Sequence, residues 1–372
     1  MRATAHLFAP GEAPRLAVQG WLTSRFALLI SVLGLAWAGG IPIVSAFCRW
    51  DALHYLAIAD GGYTDLTQTA FFPGLPGLMT LLALIGVPGW ITGVATAWIG
   101  SAFTAWGLYR LAGDPIRGAL AVWAWSFAPM AIFTVVPYTE AIFGAFAVWA
   151  FWFAKQKRWG LAATLTGFAC LFRVSGLFLI AALVVVALVE KSSWGVRVRR
   201  LLWLAIPMGV LAVYLGFMRL AFGSWTVWFD AQYQGWGRRF RWPWLAVIET
   251  LRLGGVSVPA SHGNVAVFRW ELAAFTIGLA LTIWWLVRKR WVAASWVGLQ
   301  VLALSCQVWL VSIARSMLLW FPLFLVFGDL GSGAVDRRRN RLRRIMIGLA
   351  LACEIVAMEW WAWRYVRGAW AG

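Results

Sequence analysis

Residues 49–55, with the sequence RWDALHY, bring a carboxylate, an imidazole and a phenol close together directly after a long apolar stretch. Ionisable groups beside a bilayer cost free energy, and they usually mark functional sites. A carboxylate in this position can act as a general base that takes a proton from a hydroxyl group. Asp51 is therefore the first candidate catalytic residue, although helix capping or pairing with Arg49 would also explain it.

The spacing of these groups fits one face of a short helix that begins near residue 50. Side chains three and four residues apart lie on the same face of a helix, so Asp51, His54, Tyr55 and Ile58 are predicted to share a face. A pair of glycines at positions 61 and 62 is expected to end the helix. We therefore expect an amphipathic helix at the membrane surface that presents Asp51 to a substrate.

Composition indicates that membrane helices must position this segment. The chain of 372 residues is 62% hydrophobic and 12% charged, with a mean hydropathy of +0.76, which is typical of a polytopic membrane protein. The formal charge of +18 does not indicate nucleic-acid binding, because the basic residues cluster in short loops between apolar stretches. We expect a single, all-α integral membrane domain over residues 1–372 and no nucleic-acid partner.

The charges of the loops predict about 11 transmembrane helices, with the dense basic clusters on the cytoplasmic side. The first span is predicted over residues 26–47, and the arginines before it place the N-terminus inside. These arginines are Arg2, Arg15 and Arg25. The first external loop then covers residues 48–89 and the second covers residues 223–270. Residues 77–87 are too short to span a bilayer, so we expect an interfacial helix there.

Other charged residues are predicted to lie on the same external face as Asp51, namely Asp60, Glu140, Arg173, Arg238, Arg239 and Arg315. Arg173 and Arg315 interrupt apolar sequence at external helix ends, where a guanidinium group can bind phosphate oxygens bidentately. Snorkelling to lipid headgroups would also explain these two residues, and a solvated loop would explain Arg238. Glu140 is expected either to contact substrate hydroxyls or to cap the helix that follows it.

Segments along nearly the whole chain resemble, in order, motifs of the PIG-V-type mannosyltransferases, which comprise the GPI mannosyltransferase 2 family and its prokaryotic relatives. The most specific segment is RWDALHY at 49–55. The others are AFFPG at 70–74, PYTEAIF at 137–143, FRVSG at 172–176, Gln232 with WGR at 236–238, and Arg315 before Phe321 and Pro322. The sequence departs from the family at Ser316, where relatives usually have tyrosine, and at Val174, which replaces a small polar residue.

This resemblance implies a glycosyltransferase of superfamily C that moves mannose from a polyprenyl-phosphate donor to a lipid or glycan acceptor. The reaction is expected on the external face of a prokaryotic plasma membrane, with Asp51 as the general base of a single inverting displacement. The implied donor-phosphate ligands are Arg173, Arg238 and Arg315. The expected substrate contacts are His54, Tyr55, Glu140, Gln232 and Trp236, although a structural role would also explain His54.

No cofactor is expected beside the lipid-linked co-substrate, because a departing phosphate needs little protonation and one base suffices. An obligatory divalent metal is not expected either, since the spacing of Asp51, Asp60 and Asp65 forms no recognised cage. The alternative from another class is a lipid or solute transporter or flippase, in which these charges line a pathway. The gathering of charges at one predicted face favours the enzyme.

Overall fold

The computed structural model describes residues 10–255, 264–332 and 337–371, and this part of the chain is all-helical without a β-strand. The α-helices, in chain order α1 to α18, are Ala13–Ala38, Ile43–Phe47, Asp51–Gly61, Gly74–Ala83, Gly89–Ala112, Pro115–Ser126, Glu140–Lys155, Trp159–Cys170, Gly176–Val189, Trp194–Trp203, Ala205–Phe222, Val227–Trp236, Pro243–Leu253, Val265–Val287, Trp291–Ser305, Ile313–Ser316, Phe321–Ser332 and Arg337–Val366. Short 3-10 helices cover Pro10–Glu12, Leu66–Ala70, Ala131–Thr134 and Met317–Leu319.

Several of these helices are long and apolar enough to cross a membrane. In the described ranges there are 4: Ala13–Ala38, the consecutive pair Trp194–Phe222, Val265–Val287 and Ile345–Val366. A pair bent by 68°, Ile313–Leu319 with Phe321–Leu330, gives a fifth candidate if it forms one broken span. These helices confirm the predicted helical membrane protein, whereas the topology of about 11 spans stays a prediction.

The first span differs from the predicted residues 26–47. The helix runs over Ala13–Ala38 and stops before Gly40, whose φ of +61° suits glycine. Pro42 precedes the separate short helix Ile43–Phe47, so the chain does not continue as one helix through this region. The predicted span therefore begins and ends too late in the sequence, because apolar composition alone does not show where the helix ends.

Arg25 consequently lies inside α1 and is not one of the charges before the first span. Its side chain is fully buried and donates hydrogen bonds to the backbone oxygens of Ser126 at 2.9 Å and Thr134 at 3.4 Å. It also donates to the hydroxyl oxygen of Thr134. The use of Arg25 as an orienting loop charge was wrong, because these carbonyl and hydroxyl acceptors satisfy it within the protein.

The chain groups into two compact units. One contains Met1–Arg49, Gly93–Trp152 and Leu318–Gly368, and in it α6 packs against α1 and α17. The other contains Trp50–Thr92, Phe153–Met317 and Ala369–Gly372; we call it the site unit because most of the predicted site residues belong to it. In the site unit, α15 packs against α9 and α14. The single integral domain over residues 1–372 stays a prediction.

The loop that follows α3 is fixed onto the helices of the site unit. Phe72 stacks on Tyr214 with 4.6 Å between ring centroids, and the Tyr214 hydroxyl donates to the backbone oxygen of Thr69 at 3.0 Å. The amide of Gly74 donates to the backbone oxygen of Leu171 at 2.7 Å. These contacts hold residues 69–74 against α11 and against the turn that carries Arg173.

Candidate functional site

Helix α3 presents Asp51 as its first residue. The helix ends before Gly62, whose φ is +74°, so the predicted helix and its glycine stop are confirmed. Trp50 precedes the helix with φ +52° and ψ −118°, a backbone conformation that glycine adopts far more readily than tryptophan. At the start of a helix, the Asp51 carboxylate lies at the positive end of the helix dipole, which stabilises a negative charge.

Asp51 forms an ion pair with Arg315. The Oδ2 atom of Asp51 accepts a hydrogen bond from Nη1 of Arg315 at 2.9 Å, although the residues are 264 positions apart in sequence. Both side chains are largely buried, with 21% of Asp51 and 10% of Arg315 exposed. Partial burial strengthens the attraction between the two charges relative to a pair on an exposed surface. The two residues predicted as base and phosphate ligand are therefore direct partners.

The short helix α16 that carries Arg315 begins at a buried carboxylate. The side chain of Glu271, in α14, accepts hydrogen bonds from the backbone amides of Ser312 at 2.9 Å, Ile313 at 2.8 Å and Ala314 at 3.1 Å. Ser312 has a left-handed backbone with φ +60°. Glu271 thus satisfies amides at the start of α16 that lack partners within the helix. The sequence analysis missed it; the available signal was a lone acid in an apolar helix.

Arg238 follows the end of α12 and reaches the same region. Gly237, with φ +62°, ends the helix, and Nη1 of Arg238 donates to Oε1 of Gln232 at 3.1 Å. Its Nη2 atom lies 3.5 Å from the hydroxyl oxygen of Ser312. Burial lowers the pKa of Arg238 to about 10, and the positive charge of Arg315 adds to this effect. An anion bound beside these two guanidinium groups would be stabilised by both.

Aromatic rings build the wall beside Asp51. His54 stacks on Phe71 with 4.7 Å between ring centroids, and the Trp236 ring lies 5.8 Å from His54. Tyr55 meets Phe71 edge-on at 5.2 Å and is only 4% exposed. His54 and Trp236 therefore present their rings at the site, whereas Tyr55 packs behind them, and its predicted substrate contact stays a prediction.

These groups surround a cavity of about 450 Å³, which we call the Asp51 cavity. Small-molecule sites typically measure roughly 300–1,000 Å³. Of the predicted site residues, those that line it are Asp51, His54, Trp236, Arg238 and Arg315. A second cavity of about 330 Å³ also borders Gly237 and Val308 and is lined by Arg239 and Arg241. The sequence thus predicted much of the polar lining of one cavity.

Besides Tyr55, three other predicted site residues lie outside the lining of the Asp51 cavity. Gln232 stands behind it as the partner of Arg238. Arg173 lies in the turn between α8 and α9, and its positive charge lowers the pKa of Arg238 further. Glu140 is the buried first residue of α7 in the other unit. Direct substrate contacts of these three residues stay predictions.

Sequence reasoning missed several lining residues. Trp309, Trp370 and Gln307 line the Asp51 cavity, together with Trp50 and Thr67. The Oε1 atom of Gln307 is buried and accepts no hydrogen bond from the described residues. A buried amide oxygen without a donor is costly, which makes this atom an acceptor suited to a ligand hydroxyl. No periodic signal distinguishes these residues from the many other aromatic and polar residues near helix ends.

Asp65 has a local structural role. Its carboxylate accepts a hydrogen bond from the amide of Thr67 at 2.6 Å and caps the 3-10 helix Leu66–Ala70. Within the described ranges, no three His, Cys, Asp or Glu side chains are grouped so that they could hold a metal ion. The expectation that no metal is obligatory stays a prediction.

Comparison of the sequence with protein-family models and with curated proteins finds no match. The resemblance to the PIG-V-type mannosyltransferases therefore rests on the motifs themselves.

Proposed function

We propose that this protein is a membrane glycosyltransferase of superfamily C, related to the PIG-V-type mannosyltransferases. It would transfer mannose from a polyprenyl phosphate to a hydroxyl group of a lipid or glycan at the external face of a prokaryotic plasma membrane. The observation that supports this best is that one cavity is lined by a carboxylate, Asp51, and by two guanidinium groups, those of Arg238 and Arg315. A transfer reaction with a phosphate leaving group needs both kinds of group.

The two arginines suit the donor phosphate. Guanidinium groups bind phosphate oxygens through short, charge-assisted hydrogen bonds, and a partly buried site strengthens them. Arg238 is held by Gln232 and lies close to Ser312, so its orientation is fixed before a ligand arrives. The charge of Arg173 adds to the positive field at Arg238. In this proposal Arg238 and Arg315 hold the phosphate and stabilise the charge that develops on it as it leaves.

Asp51 is the proposed base. The oxygen of the acceptor hydroxyl attacks the anomeric carbon, and its proton passes to the Asp51 carboxylate. The bond between the anomeric carbon and the phosphate oxygen breaks, and its electron pair leaves with the polyprenyl phosphate. The configuration at the anomeric carbon inverts in this single displacement. Asp51 then releases the proton to water, so one carboxylate completes the cycle.

The ion pair between Asp51 and Arg315 links donor binding to this step. Without a donor, Nη1 of Arg315 engages the carboxylate at 2.9 Å. The phosphodiester of the donor carries one negative charge and gains a second as the phosphate leaves, so it would compete with the carboxylate for the same guanidinium group. Movement of Arg315 towards the phosphate would leave Asp51 available to the acceptor hydroxyl. The base would therefore become active only when the donor is in place.

The first prediction is that Asp51→Asn abolishes transfer while the donor phosphate still binds. Asparagine keeps the shape of the side chain but cannot take the proton, so turnover should fall by roughly 10²- to 10⁴-fold. The measurement is acceptor-dependent release of polyprenyl phosphate from its mannosyl form by the purified protein in lipid.

The matched control is Asp60→Asn, on the same helix at an exposed position, which should keep full turnover. Full turnover in Asp51→Asn would show that Asp51 is not the base. If the wild-type protein moves the mannosyl lipid across vesicles and releases no polyprenyl phosphate, the transporter alternative is correct.

A further inference from the structure

We propose that Glu271 is the positioning residue of the Asp51 cavity, acting through the backbone at residues 312–314 on both arginines. Glu271 is not among the residues that line the cavity, and no sequence motif pointed to it. Its side chain is fully buried in α14, a helix apolar enough to span the membrane. A buried carboxylate is costly unless hydrogen bonds compensate it, so its partners indicate its role.

The partners of Glu271 are three consecutive backbone amides. One carboxylate oxygen accepts from Ser312, and the other accepts from Ile313 and Ala314, all within 3.1 Å. Both oxygens must be acceptors for this arrangement. Glutamine has the same length but replaces one oxygen with an NH₂ group. That group is a hydrogen-bond donor and would lie opposite a backbone N–H, which is also a donor. The negatively charged carboxylate of Glu271 can therefore bind all three amides, whereas a neutral glutamine cannot.

The supported segment leads directly to one arginine. Arg315 follows Ala314 in the four-residue helix Ile313–Ser316, and its guanidinium group lies 2.9 Å from the Asp51 carboxylate. So short a helix has little stability of its own, because helix nucleation is unfavourable. The bonds to Glu271 replace the missing intrahelical partners at its start. Glu271 thereby fixes the backbone from which Arg315 reaches Asp51.

The same segment also contacts the other arginine. Ser312 adopts its left-handed backbone, φ +60°, where its amide meets Glu271. Its hydroxyl oxygen lies 3.5 Å from Nη2 of Arg238. Loss of the Glu271 bonds would release Ser312 from this conformation and remove a contact of Arg238. A single carboxylate outside the cavity would thus position both proposed phosphate ligands.

The backbone part of this inference is tested by amide hydrogen exchange of the purified full-length protein, read by mass spectrometry over residues 310–316. Glu271→Gln should raise exchange at residues 312–314 by about tenfold or more, as expected when local opening becomes easier. Glu249→Gln, at a surface ion pair in α13, is the matched control and should leave this exchange unchanged. Unchanged exchange in Glu271→Gln would overturn the inference.

A double-mutant cycle tests whether Glu271 acts through Arg315. The probe is a short-chain polyprenyl monophosphate, and its dissociation constant is measured for wild type, Glu271→Gln, Arg315→Ala and the double variant. Glu271→Gln alone should weaken binding about tenfold, but it should weaken binding less in the Arg315→Ala background, because only its effect through Ser312 and Arg238 remains there. Equal weakening in both backgrounds would assign Glu271 a general structural role and overturn the inference.

A second variant keeps the backbone test usable. If Glu271→Gln does not fold, Glu271→Asp replaces it, since aspartate keeps the charge but shortens the reach, and intermediate exchange is expected.

The link to phosphate rests on the proposed function. If wild type binds no phosphate probe but exchange rises in Glu271→Gln, the proposed function fails and the positioning role stands. If wild type binds the probe and Glu271→Gln binds it equally well, the positioning role fails.

Discussion

At the scale of residues, the ion pair between Asp51 and Arg315 combines two residues that were predicted separately. Their types and surroundings in sequence indicated a base and an anion ligand, and the structure brings both to one cavity. Their direct pairing was not predictable, because it depends on contact between residues 264 positions apart. Glu271 was missed for the same reason. Its partners lie on another helix, and nothing in its own segment reveals them.

The second prediction concerns the pH dependence of phosphate binding. The pKa of Arg238 is lowered to about 10 by burial and by the charge of Arg315. Below that pH the guanidinium group is charged and can bind an anion, and above it the charge is lost. Binding of a short-chain polyprenyl monophosphate should therefore weaken as pH rises through about 10.

Titration of binding between pH 8 and 11, compared in wild type and Arg238→Ala, measures this effect. The variant should bind more weakly at pH 8 and should lack the part of the decrease that belongs to Arg238. An identical pH profile in both proteins would show that Arg238 does not belong to the proposed phosphate site.

At the scale of elements, regular features were predicted better than irregular ones. Helix α3 and its stop at Gly62 were predicted from helical spacing and from the glycine pair. The break after Ala38 was not, and neither was the 68° bend between Ile313–Leu319 and Phe321–Leu330. Apolar runs predict that a helix exists but not where it begins or bends; α16, for example, begins where Glu271 of another helix accepts hydrogen bonds from its first amides.

The third prediction tests the close approach between the first loop and the turn that carries Arg173. A Cβ atom at Gly74 would lie 2.7 Å from the backbone oxygen of Leu171, which is too close for any side chain. Gly74→Ala should therefore push the two segments apart and lower the free energy of unfolding by roughly 1–3 kcal/mol.

Thermal unfolding in detergent measures this loss, and Gly77→Ala on the same helix is the control. A Cβ atom at Gly77 meets nothing within 4 Å, so alanine there should be neutral or stabilising. Equal unfolding temperatures for Gly74→Ala and Gly77→Ala would contradict the close packing.

At the scale of the whole molecule, composition predicted a helical membrane protein, and the long apolar helices agree with it. The orientation of the helices in the membrane is less well supported by the sequence. It was inferred from charged loops, and one of the charges used, Arg25, is buried inside a helix. The remaining inference depends on clusters such as Arg288, Lys289 and Arg290, which are exposed at the turn between α14 and α15.

The fourth prediction tests this orientation with single cysteines at exposed positions, after replacement of the four native cysteines. A membrane-impermeant maleimide should label Asp60→Cys on intact cells and Arg290→Cys only after permeabilisation. Both positions are exposed in the site unit, so access within the protein does not limit labelling. Labelling of Arg290→Cys on intact cells would reverse the predicted topology and place the Asp51 cavity on the cytoplasmic side.

The backbone conformation of Trp50 lowers stability at a position where the side chain contributes to the proposed active site. A sparsely populated backbone conformation with positive φ costs a bulky residue roughly 1–3 kcal/mol, and Trp50 carries this cost at φ +52° and ψ −118° while its side chain lines the Asp51 cavity. Trp50→Gly should raise the unfolding temperature and reduce turnover, because it relaxes the backbone and removes a cavity wall. A screen for thermostable variants would therefore select against the proposed transfer activity at this position, and paired unfolding and turnover measurements on this one variant would reveal the trade-off.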